Sequence, residues 1–133
     1  MIFADASALI AVIAEEPDAG PLVQALNRDS VRLCSAVSAW ESVSGICRSY
    51  GFPLVLARKR VGALLKLLEF RFVQIGEREF ELAADAYARF GKGRHPAALN
   101  MGDCFAYACA RANEAKLLFK GDDFTKTDIV AAL

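Results

Sequence analysis

The sequence predicts an α/β fold, a mostly parallel sheet with helices on both of its faces. Three observations carry that expectation. Short apolar runs that read as buried strands alternate with longer stretches of helical periodicity. No two strand candidates are joined by a tight hairpin turn, as an antiparallel meander would require. The chain has 133 residues, 55% of them hydrophobic, enough for one domain to bury about two-thirds of its unfolded surface without disulfides. Residues 1–133 are therefore expected to form a single domain.

Each element has a local reason. "MIFAD" (1–5) reads as a buried strand ending at Asp5, followed by an apolar helix over 6–15. Glu15-Glu16-Pro17-Asp18 breaks that helix, and a second runs over 18–28. "VRLCSAV" (31–37) is the second strand. Ser38-Ala39-Trp40-Glu41 fits a capping box, which would start a helix at 38 with Glu41 in its first turn, and Gly51-Phe52-Pro53 stops it near Tyr50. Residues 54–69 repeat apolar side chains at Leu54, Ala57, Val61, Leu64, Leu65 and Leu68, a helical stripe. "RFVQIG" (71–76) is a strand, 77–90 a helix, and Gly91-Lys92-Gly93-Arg94-His95-Pro96 a loop. Asn100 caps a helix over 102–114 with Asp103 at its third position, and residues 117–120 form a last strand that turns at Gly121-Asp122-Asp123. The spacing does not order the strands.

Composition narrows the chemistry. Net charge is zero, so affinity for nucleic acid would have to come from a local patch. Cys34, Cys47, Cys104 and Cys109 form no CxxC pair and sit in apolar surroundings, the pattern of buried free thiols in a reducing cytoplasm. His95 is the only histidine, which leaves no His/Cys zinc site and no histidine-dependent triad. No apolar run reaches the ~18–20 residues of a membrane span. The N-terminus carries Asp5 and no basic start, unlike a secretory leader. Trp40, Phe70, Phe72 and Phe80 are expected in the core.

Carboxylates, hydroxyls and cations remain. In a parallel sheet, ligands gather beyond the carboxyl ends of the strands. Asp5 ends the first strand, Asp122 and Asp123 follow the last, and Glu41 and Asp103 lie in the first turns of helices. Each is accounted for singly by capping or turn formation. Together they belong on one edge of the sheet, and at ~5 Å and an effective dielectric near 20 each like-charged pair repels by roughly 3 kcal/mol. A hard dication such as Mg²⁺ or Mn²⁺ would relieve that repulsion and is suited to phosphate-ester chemistry.

Four stretches carry a family resemblance: "MIFADASAL" at the start, "SAWESV" at 38–43, "NMGDCFAYACA" at 100–110 and "LLFKGDDFTKTDI" at 117–129. They resemble the motifs of the PIN-domain family, and more narrowly the VapC-type toxins of bacterial toxin–antitoxin pairs, over essentially the whole chain. The resemblance implies a three-layer α/β/α sandwich and a Mg²⁺-dependent endoribonuclease, with Mn²⁺ able to substitute. It would cut RNA through water activated at a carboxylate-bound ion. The resemblance also implies a cytoplasmic homodimer neutralised by a VapB-type antitoxin, and no membrane association.

Carried over by residue, Asp5 and Asp103 are the principal metal ligands, Glu41 the second acid of the quartet and Asp123, favoured over Asp122, the fourth. Ser7 stands where the family carries Thr or Ser. Thr127 and Asp128 match the tail of the last motif but suit a turn and cap. Ser7, Lys92, Arg94 and Lys120 are the candidates for contact with RNA; the 91–96 loop and the run Arg58-Lys59-Arg60 are candidates for holding its phosphates, with solvated charge the default reading of both. The leucine stripe reads as core, with a groove against the 6–15 helix as the alternative.

Two other functions compete. One is a PIN-like binding module without catalysis, which a complete acid set argues against. The other is a phosphotransfer domain, which would want Asp-x-Asp after the first strand where this chain has Asp5-Ala6-Ser7.

Overall fold

The computed structural model describes all of residues 1–133. Its sheet has four parallel strands: β1 (Ile2–Ala4), β2 (Arg32–Cys34), β3 (Arg71–Phe72) and β4 (Lys116–Leu118), in the order β3-β2-β1-β4. Register pairs Phe3 with Leu33 and with Leu117, and Leu33 with Arg71. Six helices connect them: α1 (Ala6–Ile13), α2 (Ala19–Arg28), α3 (Ala36–Tyr50), α4 (Leu54–Leu67), α5 (Glu77–Phe90) and α6 (Met101–Ala112). None is long and apolar enough to cross a membrane.

Alternation along the strands builds the three layers, because successive side chains point to opposite faces. Phe3, Leu33 and Leu117 pack with Ala83, Ala86, Leu99, Tyr107 and their neighbours from α5 and α6. Ile2 and Leu118 face the other way, onto Leu22, Ala25 and Leu26 of α2 and the alanines of α1. Ala4 and Cys34 continue that second face beneath Leu9, Ile46, Ala57, Val61 and Leu65. Ala57, Val61, Leu64 and Leu65 of the α4 stripe thus share one core with α1 rather than walling a groove, whereas Leu54 at the start of the stripe is exposed. Cys34, Cys104 and Cys109 are buried free thiols, and Cys47 is half-buried.

The topology fixes where a site can form. From β1 the chain winds outward to β2 and β3 on one side, then returns through α5 and α6 to place β4 on the other side of β1. Strand order therefore reverses at β1, and the crevice beyond its carboxyl end is the switch point at which such sheets bind ligands. The C-terminal segment closes the open edge of β4. Leu117 N–H donates to the Val130 carbonyl and Ala132 N–H to the Leu117 carbonyl, each at 2.9 Å. Asp128 anchors that segment by accepting from the Tyr107 hydroxyl at 2.7 Å and from Arg89 at 3.0 Å.

Three expectations need correction. The third helix starts at Ala36, not Ser38, because Ser35 is its cap: the Ser35 hydroxyl accepts from Ser38 N–H at 3.1 Å and Ser38 Oγ accepts from Ser35 N–H at 2.9 Å. Glu41 accordingly lies in the second turn. The third strand shrinks to two residues on the sheet edge. Finally, Trp40, Phe72 and Phe80 are exposed, at 68%, 58% and 58%, whereas Phe70 packs against the core. Trp40 stands opposite the buried face of α3, Phe72 sits on the short edge strand, and Phe80 lines an open apolar concavity between α5 and α6 with Tyr87, Met101 and Phe105.

Candidate active site

Asp5 leaves β1 at its carboxyl end and caps α1. Its Oδ2 accepts from Ser7 N–H at 3.0 Å and from the Ser7 hydroxyl at 2.5 Å. Ser7 Oγ in turn accepts from Lys120 N–H at 3.0 Å, which ties the segment after β4 to the Asp5 carboxylate. The side chain is buried, with 5% exposure. Burial pushes its carboxyl above the usual range, and the two bonds from Ser7 only partly offset that rise.

Glu41 reaches the same place from α3. Its carboxylate rests against the backbone of Gly102, so closely that a Cβ at position 102 would stand inside it. Gly102 is at the second position of α6, where the helical backbone makes no demand for glycine. Space for Glu41 is what excludes a side chain there. Burial pushes the Glu41 carboxyl up to about 7, with the charges of Asp5 and Asp103 adding to the shift and Arg48 opposing it.

Asp103 is held by the start of α6. Asn100 Oδ1 accepts from Asp103 N–H at 2.9 Å, and Asp103 Oδ2 accepts from Asn100 N–H at 3.1 Å, a reciprocal box that leaves the carboxylate half-buried at the helix mouth. Burial again dominates, pushing it up to about 6; the Asn100 N–H opposes the shift while Asp5 and Asp123 add to it. Asp123 thus acts on Asp103. Asp122, its neighbour in the turn, acts on none of the three buried acids.

Side chains from β1, α3, α6 and the turn after β4 thus converge at the switch point of the sheet. They do so without closing: no three His, Cys, Asp or Glu side chains stand in the geometry of a finished metal site. Asp103 Oδ2 is turned back onto the N–H of Asn100, its own cap. The donor set fits a hard divalent ion. It is all oxygen and all anionic, and Gly102 leaves the room that the Glu41 carboxylate takes up beside it.

The expected cations fare differently. The Lys120 ammonium bonds Glu16 at 2.6 Å and lies 3.4 Å from Asp18, held away from the crevice. Arg94 lies over the Tyr87 ring at 5.1 Å. Lys92 N–H donates to the Leu99 carbonyl at 2.9 Å, which brings that residue beside the start of α6. Thr127 Oγ1 donates to the Phe124 carbonyl at 2.7 Å, a turn contact. His95 Nδ1 accepts from Ala97 N–H at 3.0 Å and its ring meets Phe90 edge-on, so it shapes the loop. Two residues of the site, Gly102 and Arg48, are not among those the motifs single out. A glycine inside the first turn of a helix, next to a candidate ligand, is the available signal for Gly102. The seven-residue spacing from Glu41 is the signal for Arg48.

Comparison with known proteins places this geometry among relatives. The family profile described as PIN domain matches residues 2–130. A protein named ribonuclease VapC from Mycolicibacterium smegmatis is 39% identical over 127 residues, spanning 96% of each chain. Ribonuclease VapC28 of Mycobacterium tuberculosis is 41% identical over 97% of this chain and 96% of its own. Among solved structures, M. tuberculosis VapC20, described as a Sarcin-Ricin loop cleaving toxin, superposes with a TM-score of 0.77 at 19% identity, covering 98% of this chain and 97% of that one. VapBC2 from Rickettsia felis, bound to a DNA fragment from its promoter, gives 0.73 at 13% identity over 98% and 96%. At those identities the superpositions speak for the fold alone.

Proposed function

The chain belongs to the PIN-domain family, and on that premise we propose that it is a Mg²⁺-dependent endoribonuclease acting as the toxin of a VapBC-type pair. The observation that carries the reading is the convergence of Asp5, Glu41 and Asp103, from three elements distant in sequence, into one crevice. Burial there raises all three pKa values, and repulsion among the acids adds to the rise at Glu41 and Asp103. A structural role alone would not gather such a costly set.

In this reading Asp5 and Asp103 are the principal ligands of the ion, and Glu41 and Asp123 complete the acidic ring. Once bound, the ion would supply Lewis-acid stabilisation of the phosphodiester and a lower pKa for water. The chain's own residues do the positioning. Ser7 holds the Asp5 carboxylate in place and favours its ionised form, the Asn100 cap aims Asp103, and Gly102 admits Glu41. Glu41, buried beside Asp5 and Asp103, is placed to share the ion with them or to orient the attacking water.

Residues 1–133 would act as one nuclease domain in the cytoplasm, as a homodimer neutralised by a small VapB-type antitoxin. The relatives named VapC ribonuclease and the VapBC2 likeness support the toxin role and the antitoxin partner; the homodimer and the cytoplasm belong to the family reading. The test is RNA cleavage by the purified chain in Mg²⁺. Asp5→Asn and Asp103→Asn are expected to abolish it with circular dichroism unchanged, and EDTA to abolish it in the parent. Cleavage retained by the double variant would remove the acids from the mechanism, and absence of any heat of Mn²⁺ binding would favour the inert module.

A further inference from the structure

We infer that the outer face of α3 is the track along which single-stranded RNA enters the site, with Trp40 stacking on a base and Arg48 holding a phosphate on either side of Glu41. This rests on the ribonuclease reading and adds to it the residues that hold the substrate.

The face is unusual for its helix. α3 turns Ser38, Ser42, Gly45 and Ile46 inward and leaves Trp40, the largest side chain it has, 68% exposed. Ala36 precedes Trp40 by one turn on the same side, and it lines a concavity of about 430 Å³ with Phe72, Val73, Ile75 and the backbone around them. Phe72 thus borders a hollow at the sheet edge, Trp40 stands one turn beyond Ala36 on the same side of α3, and Trp40 adjoins Glu41 in sequence.

Charge selects the occupant. An acidic crevice repels a phosphate backbone, so a polyanionic substrate has to be held by stacking and by cations outside the acidic ring. Arg48 follows Glu41 by seven residues, two turns along one face and about 10 Å along the axis. It takes no part in the chain's ion pairs. It is also the one cation whose field reaches any of the three buried acids, acting on Glu41. A greasy protein segment would use Trp40 but would have no need of an unpaired guanidinium on the face of α3 that carries Glu41; a nucleic-acid strand uses both.

The chain's sole tryptophan makes the test direct. With cleavage stopped by Asp103→Asn, a labelled single-stranded RNA of about 12 nucleotides is titrated in Mg²⁺ while Trp40 emission is followed. Quenching is expected to saturate together with the anisotropy of the label. Trp40→Ala should weaken binding roughly 5- to 100-fold and Trp40→Phe restore most of it. Arg48→Ala should flatten the slope of log K against log salt by about 0.7, with Arg48→Lys keeping the slope. RNA that binds while Trp40 emission stays unmoved overturns the track, as does a Trp40→Ala chain that binds as tightly as its parent. Emission that is blue-shifted, reddens on dilution and ignores RNA also overturns it, because a second copy of the chain then covers the face. Cleavage by the unsubstituted chain with Trp40 silent sinks the track and leaves the ribonuclease reading intact; neither cleavage nor RNA binding sinks both.

Discussion

Gly102 shows how much one missing methyl group decides. The Glu41 carboxylate occupies the space that a Cβ would take, so the α3 acid and the α6 acid can share a crevice only while position 102 is bare. The colliding group is the far end of a flexible side chain, and the fold itself has no stake in it. Alanine also favours a helix over glycine by up to ~1 kcal/mol. Gly102→Ala should therefore leave the melting temperature unchanged or slightly raised. It should nevertheless cut RNA cleavage by about 100-fold, the cost of a catalytic group displaced by about an ångström. Thermal melts alongside turnover measurements check this, and a variant as active as its parent would show that Glu41 is not needed where it stands. Sequence alone could not have shown this steric role, because the close approach of α3 and α6 is a tertiary fact.

At the scale of the element, capping is legible where one signal stands alone and misleading where two compete. The acidic first turn and the closing Gly91 bound α5 at Glu77 and Phe90, and Asn100 with Asp103 forms the box expected for α6. For α3, Ser38-x-x-Glu41 and Ser35-x-x-Ser38 both satisfy the local pattern, and only burial chooses between them: Ser35 and Ser38 are both 2% exposed and bond each other. The same helix hides its orientation. Its inward face is built of serine and glycine so that α1 and α6 can come close, with Gly45 against Ile10 and Gly102 against Glu41, and the tryptophan is left outside. An expectation that large apolar residues lie inside fails on such a helix. Ser35→Ala removes the cap that sets where Glu41 falls. It should lower stability by about 1 kcal/mol, read as a lower urea midpoint with the m-value unchanged. A midpoint that does not move would return the cap to Ser38.

For the whole molecule, the layer order and the edge on which the acids gather follow from the alternation of strands and helices, whereas strand order does not, since no local rule says on which side of β1 the last strand lands. What the assembled site adds is a pH dependence opposite to that of most folded proteins. Glu41 and Asp103 titrate near 7 and 6 in the fold, against ordinary values of 4.5 and 3.8, with burial the main cause. Between those limits the folded chain holds protons that the unfolded chain has released, so stability falls as pH rises through the window and the full cost is present above about pH 7. Asp29 and Asp128 act the other way, but only below about pH 4. The N-terminal ammonium holds the Asp29 carboxyl low, and at Asp128 the opposing effect of burial is outweighed by Tyr107 and Arg89 together. In EDTA the chain should melt higher at pH 5 than at pH 7.5. A divalent ion reverses the order: at a hundred times its Kd it stabilises by about 2.7 kcal/mol, about 10 °C for a chain of this size. That gain should appear at pH 7.5 and shrink at pH 5, where protons compete for the same oxygens. Melting curves at the two pH values, with EDTA and with Mn²⁺, read all four corners. An ion-induced shift of equal size at both, or one that survives in Asp5→Asn/Asp103→Asn, would mean that the ion binds somewhere other than this crevice.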